Sequence, residues 1–175
     1  MKMRALGIAI ASLFLTSSLM AQTPSSSSSA NIYSQVNQTI LPNGTVKFEG
    51  INVQNSKINT SAAATTGAIT FTSNAVYLVT YKLECHLTPP FPIPVPAFSF
   101  GLTLNNNVIP GSVSGDYISS PDEIVRVITG SVIVKVNSGQ TLRLVNTSLN
   151  PVDLIADAYG SSVRLASASI TFSAM

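Results

Sequence analysis

Hydrophobic and polar residues alternate along most of this chain with the two-residue period of a β-strand. The clearest run, AVYLVTYKLECHL at residues 75–87, sets Tyr77, Val79, Tyr81 and Leu83 on one face and Leu78, Thr80, Lys82 and Glu84 on the other. The first set is apolar throughout and the second turns polar towards Lys82, as a strand with one buried face requires. The stretch FSFGLTLNNNVIPGS, residues 98–112, places Phe98, Phe100, Leu102 and Leu104 on one face, meets three asparagines, and returns to Val108 and Ile109 before Pro110-Gly111. Asparagine tolerates left-handed backbone, so Asn105-Asn106-Asn107 predicts a tight reversal between two strands. Further strands are predicted at residues 124–136, 141–146, 152–156 and 163–172, with weaker ones at 33–40, 46–48 and 69–71. Turns are expected at Ser138-Gly139, Asn150-Pro151 and Tyr159-Gly160. No window shows capped helical periodicity. The chain reads as all-β: a two-sheet antiparallel jelly-roll sandwich of about eight or more strands.

The pattern breaks at the N-terminus. Residues 1–21, MKMRALGIAIASLFLTSSLMA, begin with Lys2 and Arg4, continue through an apolar run and end in small residues. That order predicts a secretory signal peptide cleaved after Ala21, because the apolar run from Ala5 to Leu15 is too short to span a bilayer. Residues 22–31, with their serine run, have nothing to bury and are expected to form a tether, which leaves 32–175 as the folded head. A second interruption, TPPFPIPVP at 88–96, holds five prolines in nine residues; it is expected to be a stiff connection or an edge segment.

Charge then narrows the partners. The chain has nine Lys+Arg and seven Asp+Glu; without Lys2 and Arg4 the count is seven against seven, so the mature chain is formally neutral. No basic stripe exists to neutralise a run of phosphates, which argues against nucleic acid, and no membrane span is expected once the signal is removed. The single cysteine, Cys85, cannot form an internal disulfide, and burial as a small apolar residue is its expected state.

Candidate chemistry is sparse. His86 is the one histidine, and no Gly-x-Ser-x-Gly elbow accompanies it, so a Ser-His-Asp hydrolase has little to stand on. Cys85 and His86 are neighbours on a strand and point to opposite faces, which excludes them as a metal pair. The seven carboxylates show no facing pair of the glycosidase kind. No catalytic, cofactor-binding or metal-binding residue is therefore assigned, and the chain is not expected to be an enzyme. The segment GDYISSPDE remains as a candidate ligand loop: Asp116, Asp122 and Glu123 supply oxygen, and Tyr117 could stack on a sugar ring. Sequons at Asn37, Asn43, Asn59 and Asn146 suit surface loops of a secreted protein, or simply turn-forming asparagine.

The pieces AITFTSNAVYLVTYKL, FSFGLTLNNNVIPGS, VNSGQTLRLVNTS and LASASITF, in that order, resemble the C-terminal domain of BclA-type collagen-like glycoproteins of bacterial spore surfaces. Those domains belong to the jelly-roll superfamily of tumour necrosis factor and the complement globular heads. Ile69, Ala75, Tyr77, Val79 and Tyr81 fall at the spacing of the complement-head signature. Tyr77 and Tyr81 keep its residue types, whereas Ile69 replaces an aromatic, Ala75 a glycine and Val79 a phenylalanine. Gln140 stands where a strand-opening aspartate is common, and no Gly-X-Y stalk precedes the head. The resemblance implies three heads packed round a threefold axis, with Tyr77, Tyr81 and Phe100 as candidates for the trimer interface or the core. The expected protein is secreted or surface-exposed with a structural or adhesive role; the alternative on the same fold is a lectin-like module that binds a surface glycan or protein receptor. Some relatives bind calcium near loop tips, which would concern Asp116, Asp122 and Glu123.

Overall fold

The computed structural model describes residues 29–86, 97–117, 125–156 and 165–175. The leader, the proline-rich stretch, the turn at Tyr159-Gly160 and the loop residues Asp122 and Glu123 lie outside the described residues. In chain order the elements are β1 (Ser29–Ser34), β2 (Gln38–Ile40), β3 (Gly50–Val53), β4 (Ile58–Asn59), α1 (Ala63–Thr66), β5 (Ile69–Phe71) and β6 (Ala75–His86). After them come β7 (Ala97–Leu104), β8 (Asn107–Val108), β9 (Ser114–Tyr117), β10 (Val125–Val136), β11 (Thr141–Asn146), β12 (Val152–Leu154) and β13 (Ala168–Ala174).

Two antiparallel sheets result, as the strand pattern predicts. In the first, β6 pairs with β10 along its whole length, from Ala75↔Val136 to His86↔Val125. Its other edge is shared: β13 pairs with Tyr77–Leu83, and β12 takes Cys85 and His86. From there β13 pairs with β1, β1 with β3, and β12 with β2. The second sheet runs β4-β5-β11-β7, and β8 and β9 share the outer edge of β7. The inward faces meet in one core that includes Phe71, Tyr77, Tyr81, Phe98, Phe100, Leu102 and Phe172.

The polar reversal after β7 is geometric. Leu104 pairs with Asn107, and the two residues between them, Asn105 and Asn106, have φ of +50° and +67°. Positive φ at both central positions matches the right-handed twist of the flanking strands, which is why a charge-poor chain places amides there. At the predicted Ser138-Gly139 turn, Gly139 has φ of +85° and its N–H donates to the Phe71 carbonyl at 2.8 Å.

Several boundaries differ from the sequence pattern, each for a structural reason. β1 begins at Ser29, inside the expected tether, because Ser29, Ala30 and Asn31 pair with Ser173, Phe172 and Thr171. The predicted strand at 33–40 is two strands: residues 35–37 carry the chain from the edge of β13 to that of β12, and the Asn37 Oδ1 accepts from the Ala156 N–H at 2.8 Å. Residues 46–48 form no strand, although Val46 and Phe48 are buried; their N–H groups donate to the carbonyls of Leu144 and Ala63. The single turn of α1, closed by Gly67 at φ +67°, had no periodic signal to announce it. Asp116 and Tyr117, expected in a loop, lie in β9, where they pair with Phe98 and Ala97. The last strand runs Ala168–Ala174, later than predicted.

One packing device was invisible in the pattern. Gly130 sits opposite Tyr81 across the β6–β10 ladder, and a Cβ built on it would lie 2.3 Å from the Tyr81 ring. The ring covers the glycine and carries its hydroxyl to the second sheet. Gly130→Ala is therefore expected to cost about 2–3 kcal/mol, the upper part of the overpacking range, because the ring cannot yield without releasing its hydrogen bonds. Urea unfolding measures this; a loss below about 0.5 kcal/mol, the scale of ordinary surface changes, would mean the ring has room to move.

Candidate interaction surface

Tyr77, Tyr81 and Phe100 are fully buried within their own chain and face the interior between the sheets. The Tyr81 hydroxyl lies 2.9 Å from the Phe100 carbonyl and 2.8 Å from that of Ser112, so it ties β6 to the opposite sheet. Burial pushes its pKa up to about 12, with a backbone contact at Ser114 pulling the other way. Tyr77 stacks on Phe71 at 5.4 Å between ring centroids and meets Phe172 edge-on at 6.1 Å. Its hydroxyl is buried without a hydrogen-bond partner among the described residues, and desolvation raises its pKa.

Cys85 continues this inward face and is buried, while His86 beside it is half-buried on the opposite side. Desolvation first, and the Glu84 carboxylate second, lift the Cys85 thiol from its ordinary 9.0 to about 12. A group whose pKa is higher in the folded state holds its proton there after the unfolded chain has lost it. Its stabilisation is complete below pH 9 and is lost as pH rises towards 12. Two results are expected: Cys85 stays unreactive to thiol reagents at pH 8 until the chain is unfolded, and Cys85→Ala flattens the loss of stability between pH 9 and 12. Rapid labelling of the folded chain would contradict the burial.

The outward face of the same sheet is different in kind. From β6 it presents Val76, Leu78, Thr80, Lys82 and Glu84, and the opposing residues of β10 are Lys135, Ile133, Ser131, Thr129 and Val127. Leu78 and Ile133 are direct cross-strand partners, 36% and 58% exposed. Val76 lies beside them, and Met175, whose N–H donates to the Val76 carbonyl, is 74% exposed. At the far end Val125 and Val127 are 40% and 53% exposed. Between these apolar ends lies a band of hydroxyls, Thr80, Ser131 and Thr171, registered across three strands. Sequence periodicity assigns this face to solvent, yet its ends carry the residue types of an interior. Apolar side chains left exposed at both ends of a sheet face are a surface suited to association.

The candidate ligand loop is only partly within view. Asp116 pairs with Arg126 of β10 at 3.5 Å, so its carboxylate is engaged, while Tyr117 is 64% exposed. Among the described residues no group of three His, Cys, Asp or Glu could hold a metal ion. The sequons divide sharply. Asn37, Asn43 and Asn59 are exposed, but Asn146 is buried, and its amide donates to the carbonyls of Ile40 at 2.9 Å and Asn150 at 2.8 Å. Asn146 is a structural amide that closes the corner between β2 and β11. Among the described residues no helix is long and apolar enough to cross a membrane.

This architecture is shared with solved structures. The globular domain of zebrafish complement 1qA superposes with a TM-score of 0.57 at 11% identity, over 84% of this chain and 96% of that one. Eiger TNF from S. frugiperda gives 0.62 at 10% identity, over 84% and 91%. Murine APRIL gives 0.55 at 6% identity, over 84% and 98%. The chain therefore has the two-sheet jelly-roll fold of the complement globular heads and the tumour-necrosis-factor ligands. No protein-family model matches the sequence, and no curated protein matches it.

Proposed function

We propose that the chain is a secreted or cell-surface, non-enzymatic homotrimer with a structural or adhesive role, of the BclA-type head kind. The observation that carries this reading is the outward face of β6 and β10. Its apolar ends are exposed in a single chain, and two further copies packed round a threefold axis would cover them. Burial of that face would contribute about 25 cal/mol per Å² of apolar area before the costs of association. The order of strands and the fold shared with the complement and tumour-necrosis-factor jelly rolls support the assembly. The absence of a recognisable catalytic constellation in the sequence, with one histidine and no nucleophile elbow, supports a role in display or attachment.

Light scattering on the chain, with and without reductant, tests it. The expected mass is that of three chains and does not change with reductant, because the buried Cys85 takes no part in assembly. A monomer at all concentrations would overturn the proposal. A reductant-sensitive dimer would overturn it as well and would place Cys85 at an interface.

A further inference from the structure

The outward face of the second sheet carries a feature unrelated to the proposed assembly. At the register position where Arg143 of β11 pairs with Thr103 of β7, the surface sinks into a concavity of about 270 Å³. Thr103, Arg143 and Val145 belong to its floor; Asn43 and Thr45 line it from one side, and Asn106 and Val108 from the other. Two of these walls are turns with left-handed backbone, at Asn43 (φ +62°) and Asn106 (φ +67°), so turn geometry sets where each of these residues stands. Arg143 is half-buried, and its Nη1 donates to the Asn106 Oδ1 at 2.9 Å. That bond uses one of the five guanidinium donors and leaves the others for a ligand. Among the described residues Arg143 has no carboxylate partner, the ion pair there being Arg126 with Asp116, and no acidic residue lines the concavity.

We infer that this concavity binds an acidic sugar residue, a pyranose of the uronic-acid class, with Arg143 receiving the carboxylate. The chemistry is specific in three respects. A guanidinium with free donors and no counter-ion calls for a planar carboxylate, which it can take in a bidentate manner. The amides of Asn43 and Asn106 and the hydroxyl of Thr45 match ring hydroxyls, which a bare oxyanion lacks. Val108, half exposed, and Val145 offer a small apolar surface to the C–H face of a ring. The volume fits one monosaccharide and is below the range typical of larger ligands. The inference is independent of the trimer proposal, since the site lies on the other sheet and draws every residue from one chain.

An NMR titration of the isotope-labelled chain at constant ionic strength tests it, with sodium glucuronate, glucose and sodium acetate as probes. Glucuronate is expected to shift the amides of Thr103, Asn106, Arg143 and Val145 saturably, with millimolar affinity. Glucose and acetate each carry half of the recognition and are expected to bind at least about tenfold more weakly. Arg143→Met removes the carboxylate partner and is expected to lower glucuronate affinity by about tenfold or more, with Arg143→Lys between the two. Val108→Asp, at an exposed edge position, provides a second variant if Arg143→Met fails to fold; its carboxylate would engage Arg143 and repel the ligand. Absence of saturable shifts with glucuronate, equal binding of acetate, or undiminished binding to both variants would each overturn the inference.

Discussion

A chain carrying Tyr77→Asp is expected not to fold. Tyr77 is fully buried between Phe71 and Phe172, whose rings lie 5.4 and 6.1 Å from its own. The substitution removes most of an aromatic side chain and places a carboxyl group where no donor is at hand to receive it. Loss of a large aromatic costs about 3–5 kcal/mol, and an unpaired buried polar group adds about 1–3 kcal/mol. Together these are comparable with the whole stability of an ordinary domain, about 5–15 kcal/mol. Circular dichroism and urea titration would show no cooperative transition. Conservative variants separate the ring from its hydroxyl. Tyr77→Phe deletes a hydroxyl that has no partner among the described residues, and is expected to leave stability unchanged or raise it by up to about 1 kcal/mol. Tyr81→Phe leaves two buried carbonyls, of Phe100 and Ser112, without their shared donor and is expected to cost about 1–3 kcal/mol. A Tyr77→Asp chain that folds with near-normal stability would show that this ring does not lie in the core.

The same two tyrosines show what the sequence could and could not reveal. Alternation in β6 identified the face on which Tyr77 and Tyr81 lie, because a two-residue period leaves a strand only two faces. It could not say whether that face looks into its own chain or towards a partner, since both are dry. Pairing decided the matter: β7 brings Phe100 to within reach of the Tyr81 hydroxyl, and no local pattern encodes that approach. The asparagine turn was legible because positive φ is a local demand met by few residue types. Short elements such as β3, β4 and β9 were not legible, since two to four residues at a sheet edge carry no period. β9 shows the consequence: GDY has turn composition, yet it completes the edge of β7 and commits Asp116 to Arg126. Arg143 was passed over altogether. It reads as an ordinary outward residue of a half-buried strand, and only the reversal at Asn105-Asn106 and the loop at Asn43, distant in sequence, make a concavity around it.

Leu78 lies one residue from Tyr77, on the opposite face, and its replacement is expected to act on assembly rather than on folding. In the double variant Leu78→Asp, Ile133→Asp, two cross-strand partners become like charges on a face that is already partly open to water. Each single chain loses little, because the removed side chains are 36% and 58% exposed; opposed carboxylates across a ladder cost roughly 0.2–1 kcal/mol. A threefold assembly repeats the change in every subunit, so six carboxylates would have to be desolvated at once without partners. Light scattering is expected to give the mass of one chain where the parent gives three. Melting supplies the second readout. Assembly makes a parent's melting temperature rise with concentration, whereas a monomeric variant's does not. A double variant that keeps the parent's mass would move the interface away from β6 and β10, leaving the exposed apolar ends of this sheet without an occupant. A variant that still unfolds cooperatively, with a melting temperature independent of concentration, and travels as a single chain would assign those ends to the contact between subunits, because it separates folding from assembly within one strand.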